Sequence, residues 1–474
     1  MDINQRLGRI RYILADSPSS EGFEQILAAF EGWTQDDGVK VGLEYAQRHF
    51  ERWPLSLLRP SSALLTQVTQ DPGDPPPVWG LVRWAALGTL DAAQLRRWLR
   101  SGALSKLRGL RVRVTDPDAM VALSSARSLK SLRALELVGA GVDAEATNRL
   151  ARTRQLKGLE ALSWRGNRLL GVRTGRAHVE HMEVLASNTA LRALRYLDVS
   201  GCRVGPGGAR ALAEGALERL ESLSISERFY GHQAENARIV DVLWAAENLP
   251  VLSRLDFGGR ALPEGQGAKV LGRTSSGSLT HLNAQGVGVR DEDLCRAASE
   301  GRLGSFRWLN LAEGGQFLGP QRIGDAGLSA FVSAGGLKGL ETLFVHGNGA
   351  ERNYGSYGFG PAGVEALVGS PDASSLRVLD LSDNPIGDAG AHLLAQSEHL
   401  SSLECLNIRT TGMSEVGLGA LASSPHLPAL KCLYVSPWLN ERWRRELRER
   451  FGALELFKTL SAHLVGHSIP WDEF

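Results

Sequence analysis

Long apolar runs, paired cysteines and an excess of charge of either sign are all missing from this chain of 474 residues. No stretch approaches the ~18 uninterrupted apolar residues of a membrane-crossing helix, so no membrane partner is expected. Residues 1–15 mix charged and apolar side chains, with Arg6, Arg9 and Arg11 among them, and do not read as a secretory leader. The four cysteines, Cys202, Cys295, Cys405 and Cys432, form no CxxC pair and no short-loop framework. A reducing compartment, and hence a cytoplasmic location, is the simpler expectation. Lys and Arg number 53 against 52 Asp and Glu, for a net charge of +1, so no global field draws the chain to nucleic acid. Only eight of the basic residues are lysine, a bias that fits a GC-rich bacterial genome better than a binding role. At 43% hydrophobic and 22% charged residues, the composition lies well away from disordered chains. Glycine alone is in excess, with 54 residues against a usual ~7% and without the three-residue period of collagen.

What is present is an internal repeat. The segment from Leu376, LRVLDLSDNPIGDAGAHLLAQSEHLSS, and the next from Leu403, LECLNIRTTGMSEVGLGALASSPHLPA, are each 27 residues long and keep one apolar register. Their shared frame is L-x-x-L-x-L-x-x-N-x-I, then G-x-x-G and an apolar stretch of the form LA. The opening position recurs at Leu107, Leu132, Leu159, Leu194, Leu220, Leu252, Leu279, Phe306, Leu340, Leu376, Leu403 and Leu430, giving twelve candidate units. Leu379 and Leu381 alternate as in a strand, whereas Ala389 to Gln396 carries apolar residues at helical spacing. A strand that returns through a helix cannot bury its apolar side alone, so each unit needs neighbours. Strands stack ~4.8 Å apart and helices ~8–10 Å, so such an array bends with its strands inside. The expected fold is α/β, a horseshoe-shaped solenoid with a parallel concave sheet and convex helices.

This frame resembles the leucine-rich repeat, and its 27-residue length with Ile386-Gly387-Asp388-Ala389-Gly390 resembles the ribonuclease-inhibitor-like subclass, over roughly Leu104 to Asn440. The resemblance implies an asparagine after each strand that hydrogen-bonds backbone groups in the turn. Asn167, Asn348 and Asn384 keep it, and Cys202 and Thr411 are tolerable substitutes. Ala140, Arg228, Arg260, Val287 and Gly314 do not, so the ladder is expected to break in the middle of the chain. Glycines such as Gly324, Gly327, Gly387 and Gly390 fall where the turn enters the helix, and read as close-packing positions. A second set, Gly314, Gly315, Gly347, Gly349 and Gly355, lies in long loops after strands and is read as pointing to function.

The solenoid is placed at 104–440, with a helical N-terminal domain at 1–103 and a helical C-terminal cap and tail at 441–474. In the first segment Phe23 to Trp33, Val41 to Trp53 and Leu81 to Leu99 read as amphipathic helices, the last with an Asp91…Gln94 capping box. The segment is either a cap shielding the first repeat or a separate docking module. At the other end Trp443, Leu447 and Phe451 share one face of a helix over 441–451. Its arginines interleave with Glu441, Glu446 and Glu449 and read as a solvated face rather than a nucleic-acid patch.

Catalytic signatures are absent: there is no GxSxG elbow, no GxxxxGK[ST] loop and no CxxC. Gly358-Phe-Gly360-Pro-Ala-Gly363 matches GxGxxG, but its last two glycines align with Gly387 and Gly390 of the repeat. His178 and His181 are three residues apart with no third ligand in view. No cofactor, metal or enzymatic activity is therefore expected, and surface remains. Units of extra length carry their insertions after the strand, placing Phe229, Tyr230, Phe317, Tyr354 and Tyr357 in glycine-rich loops on one rim. The strand positions facing away from the core present Tyr196 and Asp198, Arg254 and Asp256, His281 and Asn283, Trp308 and Asn310, Thr342 and Phe344, and Cys432 and Tyr434. Water is expected around them, and exposed Trp308 and Phe344 form an apolar patch on adjacent strands. Replacing both by alanine is expected to abolish partner capture without changing thermal stability. The reading is a scaffold that binds a protein partner. The alternative is an activator of a small GTPase, as some proteins of the resembled subclass are, with Arg228, Arg322 or Arg352 aimed at the nucleotide.

Overall fold

The computed structural model describes residues 3–31, 33, 37–114, 116–138, 145, 149–150, 152–166, 176–227, 233–272, 279–301, 303–313, 323–347, 358–436, 441–451 and 453–455. The chain divides into two compact halves, the first built on Met1–Val204 with Glu214–Leu220 and the second on Gly205–Ala213 with Glu221–Gly466.

Four helices, α1 (Ile3–Ala15), α2 (Ser20–Ala29), α3 (Asp37–Phe50) and α4 (Ser62–Gln70), open the first half. Ser19 and Ser61 cap α2 and α4 by accepting from the N–H of Gly22 (3.0 Å) and Leu64 (3.2 Å). Phe23 packs edge-on against Phe50, with ring centroids 5.1 Å apart, and Phe50 against Trp53 at 4.9 Å. Then come β1 (Trp84–Leu90), α5 (Ala92–Ser101), β2 (Gly109–Val114), α6 (Pro117–Ser125), β3 (Ala134–Val138), β4 (Ala161–Ser163), α7 (Arg176–Ser187) and β5 (Tyr196–Asp198). Strands β1 to β5 pair in chain order, all parallel.

Residues 81–99 are thus not one helix. The Asp91–Gln94 capping box forms as read, but Trp84–Leu90 is a strand whose Trp84 pairs with Gly109 as Gly109 pairs with Ala134. The run W-A-A-L-G-T-L suits either period, and Gly88, at φ +70°, is incompatible with a helix interior. The frame therefore begins one unit earlier, at Val82. The carbonyl of Leu58 accepts from the N–H of Arg83 (3.0 Å) and Trp84 (3.2 Å), as the Arg83 carbonyl does from Arg108 and Gly109. Leu58 therefore stands in for a preceding strand.

The second half continues the pattern with α8 (Pro206–Glu214), β6 (Ser222–Ser224), α9 (Gln233–Trp244), β7 (Arg254–Asp256), α10 (Ala268–Leu271), β8 (His281–Asn283), α11 (Asp291–Ser299), β9 (Trp308–Asn310) and α12 (Asp325–Ser333). It ends with β10 (Thr342–Phe344), α13 (Pro361–Val368), β11 (Val378–Asp380), α14 (Gly387–Gln396), β12 (Cys405–Asn407), α15 (Glu415–Ala422), β13 (Cys432–Tyr434), α16 (Glu441–Phe451) and β14 (Ala453–Glu455). Strands β6 to β14 are parallel and in register, residue for residue. Their central leucines, Leu309, Leu343, Leu379, Leu406 and Leu433, are fully buried, each contributing about 1.5–3 kcal/mol of hydrophobic stabilisation. Helix α16 forms as read, and β14 adds a strand beyond it.

Of the positions where the asparagine ladder was expected to break, Arg260 and Val287 keep the turn closed, whereas Ala140, Arg228 and Gly314 lie outside the described residues. Asn384 Nδ2 donates to the carbonyls of Val345, one strand back, and Leu381, both at 3.0 Å. At the same position Arg260, 3% exposed, sends Nε to the Ile225 carbonyl at 2.5 Å, and Cys202 Sγ reaches the Trp164 carbonyl at 3.2 Å. Val287 has no side-chain donor, and the turn closes there by Val287 N–H to the Ala284 carbonyl at 3.2 Å.

The helical glycines have a more specific cause than close approach to the sheet. Asp291 Oδ1 accepts from the N–H of Gly324 (2.6 Å) and Gly327 (2.8 Å), Asp325 Oδ1 from Gly360 (2.8 Å) and Gly363 (2.7 Å), and Asp388 Oδ1 from Ser414 (2.8 Å) and Gly417 (3.0 Å). Each aspartate caps the next repeat's helix, and a Cβ at Gly327 would lie 2.2 Å from Asp291 Oδ1. A further row sits just after the strands, where Gly166, Gly201, Gly259, Gly286 and Gly347 all have φ between 65° and 79°. Gly347 therefore belongs to the repeat, and the rest of the loop set named with it lies outside the described residues.

Candidate partner-binding surface

Each strand from β7 to β13 shows two residues on the face away from the helices. The first of each pair, Arg254, His281, Trp308, Thr342, Val378, Cys405 and Cys432, is half-buried. The second is mostly buried, and its chemistry explains why. An Asp or Asn there accepts from the N–H two residues on: Asp256 from Gly258 (3.1 Å), Asn283 from Gln285 (3.1 Å), Asn310 from Ala312 (3.0 Å), Asp380 from Ser382 (3.0 Å) and Asn407 from Arg409 (3.2 Å). These side chains close the turn. Asn283 Nδ2 also donates to Asp256 Oδ1 at 2.8 Å, and Asn407 Nδ2 to Asp380 Oδ2 at 2.9 Å.

Two units put an aromatic in that turn-closing position, Phe344 and Tyr434, 0% and 5% exposed. The expectation of water around them fails. Phe344 lies between Trp308, with ring centroids 5.5 Å apart, and His346 at 6.5 Å. With Ala312 and Tyr434 it forms a cluster against which Trp308, Val378, Cys405 and Cys432 pack. Truncating Phe344 would leave a cavity costing about 3–5 kcal/mol, so the double alanine substitution does not leave stability unchanged. In the first half Tyr196, 5% exposed, is likewise core-like, because its neighbours Ala161 and Ala134 are small enough for a ring to pack over them beside Trp84. Arg254, His281 and Trp308 keep accessible surface. Val378 and Cys405 share their row but were not singled out from the sequence, although the same position in the frame identifies them.

The electrostatics vary along the row. Burial, then the charges of Arg254 and Arg307, push the His281 imidazole down to about 4, so it is neutral at neutral pH and the arginines carry the charge. Behind the row a ladder alternates in sign: Arg307 pairs with Glu341, and Arg377 and Lys431 with Glu404. Hydrogen bonds from Arg377 and Lys431 hold the Glu404 carboxyl below its ordinary range. The ladder is self-neutralising and exposed, worth little in stability. Deeper, His346 Nδ1 lies 3.4 Å from Asp380 Oδ2, a long ion pair. Burial opposes both charges, but each outweighs it for the other, His346 lying above and Asp380 below its ordinary value.

The rim residues Phe229, Tyr230, Phe317, Tyr354 and Tyr357, and Arg228, Arg322 and Arg352, lie outside the described residues, as do the side chains of His178 and His181. The GxGxxG run is accounted for: its Gly360 and Gly363 N–H groups already converge on Asp325. Among the described residues no group of three or more His, Cys, Asp or Glu is placed to hold a metal ion, and no helix is long and apolar enough to cross a membrane.

In-register parallel strands, returning helices and the turn ladder define an α/β leucine-rich repeat solenoid. A family model described as leucine-rich repeat matches residues 191–213 and 373–395. No curated protein matches it. Among solved structures it is similar to a Rad7 and Elc1 complex from yeast, at 14% identity and TM-score 0.49, covering 88% of this chain and 98% of that one. It is similar also to an internalin, InlF, from Listeria monocytogenes, at 13% identity and TM-score 0.34, covering 86% and 98%. A third is the tropomodulin C-terminal domain from Caenorhabditis elegans, at 14% identity and TM-score 0.24, covering 33% and 90%.

Proposed function

We propose that this protein is a non-enzymatic scaffold that binds a protein partner through the helix-free face of its second half, with the rim loops after the strands as flanking contacts. The carrying observation is the half-buried row from Arg254 to Cys432, which crosses seven adjacent strands and changes from basic to apolar along its length. Large aromatics and arginine at such positions are the residue types that dominate binding energy. The partner segment that fits is extended or helical, with a carboxylate over Arg254 and an apolar side chain against Trp308 and Val378. The 27-residue unit and its I-G-D-A-G turn support the ribonuclease-inhibitor-like subclass, and the arginine-rich composition and unpaired cysteines support a bacterial, cytoplasmic setting.

Trp308→Ala and Arg254→Glu test recognition with the turns intact, because neither side chain closes one. Affinity capture from the native cell is expected to lose the partner with either variant, by tenfold or more in Kd, while far-UV circular dichroism is unchanged. Retrieval of the same partner at wild-type affinity by both variants would refute this surface.

A further inference from the structure

Two cysteines that are 27 residues apart in the chain are neighbours in the sheet. Cys405 and Cys432 are the register partners that open β12 and β13, so both side chains emerge on the helix-free face. Adjacent strands lie about 4.8 Å apart, inside the roughly 4.4–6.8 Å Cα separation that a disulfide spans. Both are free thiols and both are half-buried, so small oxidants reach them. The other two cysteines are placed differently: Cys202 is buried against the Trp164 carbonyl, and Cys295 lies on helix α11.

We propose that Cys405 and Cys432 form a redox-convertible dithiol, a modification site at which hydrogen peroxide joins β12 to β13 by a reversible disulfide. The Cys432 sulfur attacks one peroxide oxygen, and the displaced hydroxide takes up the thiol proton as water, leaving a sulfenic acid. The Cys405 sulfur then attacks the Cys432 sulfur; the hydroxyl leaves with the Cys405 proton as a second water. Two thiols lose two electrons and the peroxide is reduced to two waters. Burial, then the neighbouring Cys432, push the Cys405 thiol up to about 12, so little of it is thiolate at neutral pH.

The full-length reduced protein treated with hydrogen peroxide, alkylated and digested with trypsin without reduction decides the matter. The cysteines fall on separate peptides, 378–409 and 432–442. These are expected to appear joined, at two hydrogens below their summed mass, and to separate on treatment with dithiothreitol, with Cys202 and Cys295 still alkylated. In Cys405→Ser the reaction is expected to stop at a Cys432 sulfenic acid that dimedone traps. Recovery of both wild-type peptides as separate alkylated or over-oxidised species, or linkage of either to Cys295 or to a second molecule, would overturn the proposal whether or not the variant folds.

Discussion

At the residue scale, the glycine excess resolves into positions with distinct physical demands. Gly259 follows β7 at φ +73°, and a Cβ there would lie 1.7 Å from the Glu227 carbonyl oxygen. Gly88 has a similar φ of +70° but nothing within 4 Å of an added Cβ. Comparing the two separates backbone strain from steric exclusion. Gly88→Ala is expected to cost about 1–2 kcal/mol, the penalty of a left-handed non-glycine residue. Gly259→Ala adds an overlap with backbone that cannot move aside, for a further loss of about 1–3 kcal/mol. Urea denaturation of both variants measures the difference, and equal losses would show that conformation alone explains the row. Only the general role of these glycines was legible in the sequence. That the capping glycines meet an aspartate of the preceding repeat, as Gly327 meets Asp291, depends on residues 36 apart.

At the scale of elements, strands β10 and β11 are joined by more than their backbone ladder. The His346–Asp380 pair bridges them, and Ser382 Oγ (2.6 Å) and Asn407 Nδ2 (2.9 Å) also donate to Asp380. Because the folded state raises His346, its contribution is full below about pH 6.5 and is lost as the pH climbs through the raised value. Because Asp380 is lowered, its contribution is present above about pH 3.9 and is lost as the pH falls through the depressed value. The pair therefore supports the fold between those limits. Thermal melts from about pH 5 to 9 are expected to show the wild-type midpoint falling on the alkaline side, and His346→Gln is expected to remove that slope. Parallel curves would mean the pair is not coupled to folding. Nothing in the sequence marks this pair, since His346 sits just after one strand and Asp380 within the next, 34 residues on. Likewise Arg260 replaces a ladder asparagine only because its longer side chain reaches the Ile225 carbonyl. Pattern matching scores the substitution as a break, whereas geometry makes it a repair.

At the scale of the whole molecule, the segment between α3 and α4 meets the leading end of the first strand. Leu58 accepts both leading N–H groups, and the Arg59 guanidinium lies 4.2 Å from the Trp84 ring centroid. An uncovered edge would offer unpaired backbone groups and an exposed tryptophan to other chains. Deleting residues 1–80 is therefore expected to give concentration-dependent association by sedimentation, with β1 losing amide protection first in hydrogen exchange. A truncated chain that stays monomeric and protected would refute a capping role for residues 1–80. From the sequence the frame starts at Leu107, because Trp84–Leu90 satisfies helical and strand spacing alike, and only pairing with β2 distinguishes them.

The sequence by itself determined the repeat, its leucine register and the alternation of strand and helix. Those follow from local periodicity, and each unit carries the whole pattern. Tertiary structure decided which outward positions are surface. Asp and Asn in the second row turn back to close their own turns, and Phe344 and Tyr434 sink into a cluster formed by residues from β9 to β13. It also decided that Cys405 and Cys432 meet, because stacking in register converts one repeat length of chain into a single strand spacing. Burial and adjacency are properties of neighbours, and in a solenoid the neighbours are a repeat away.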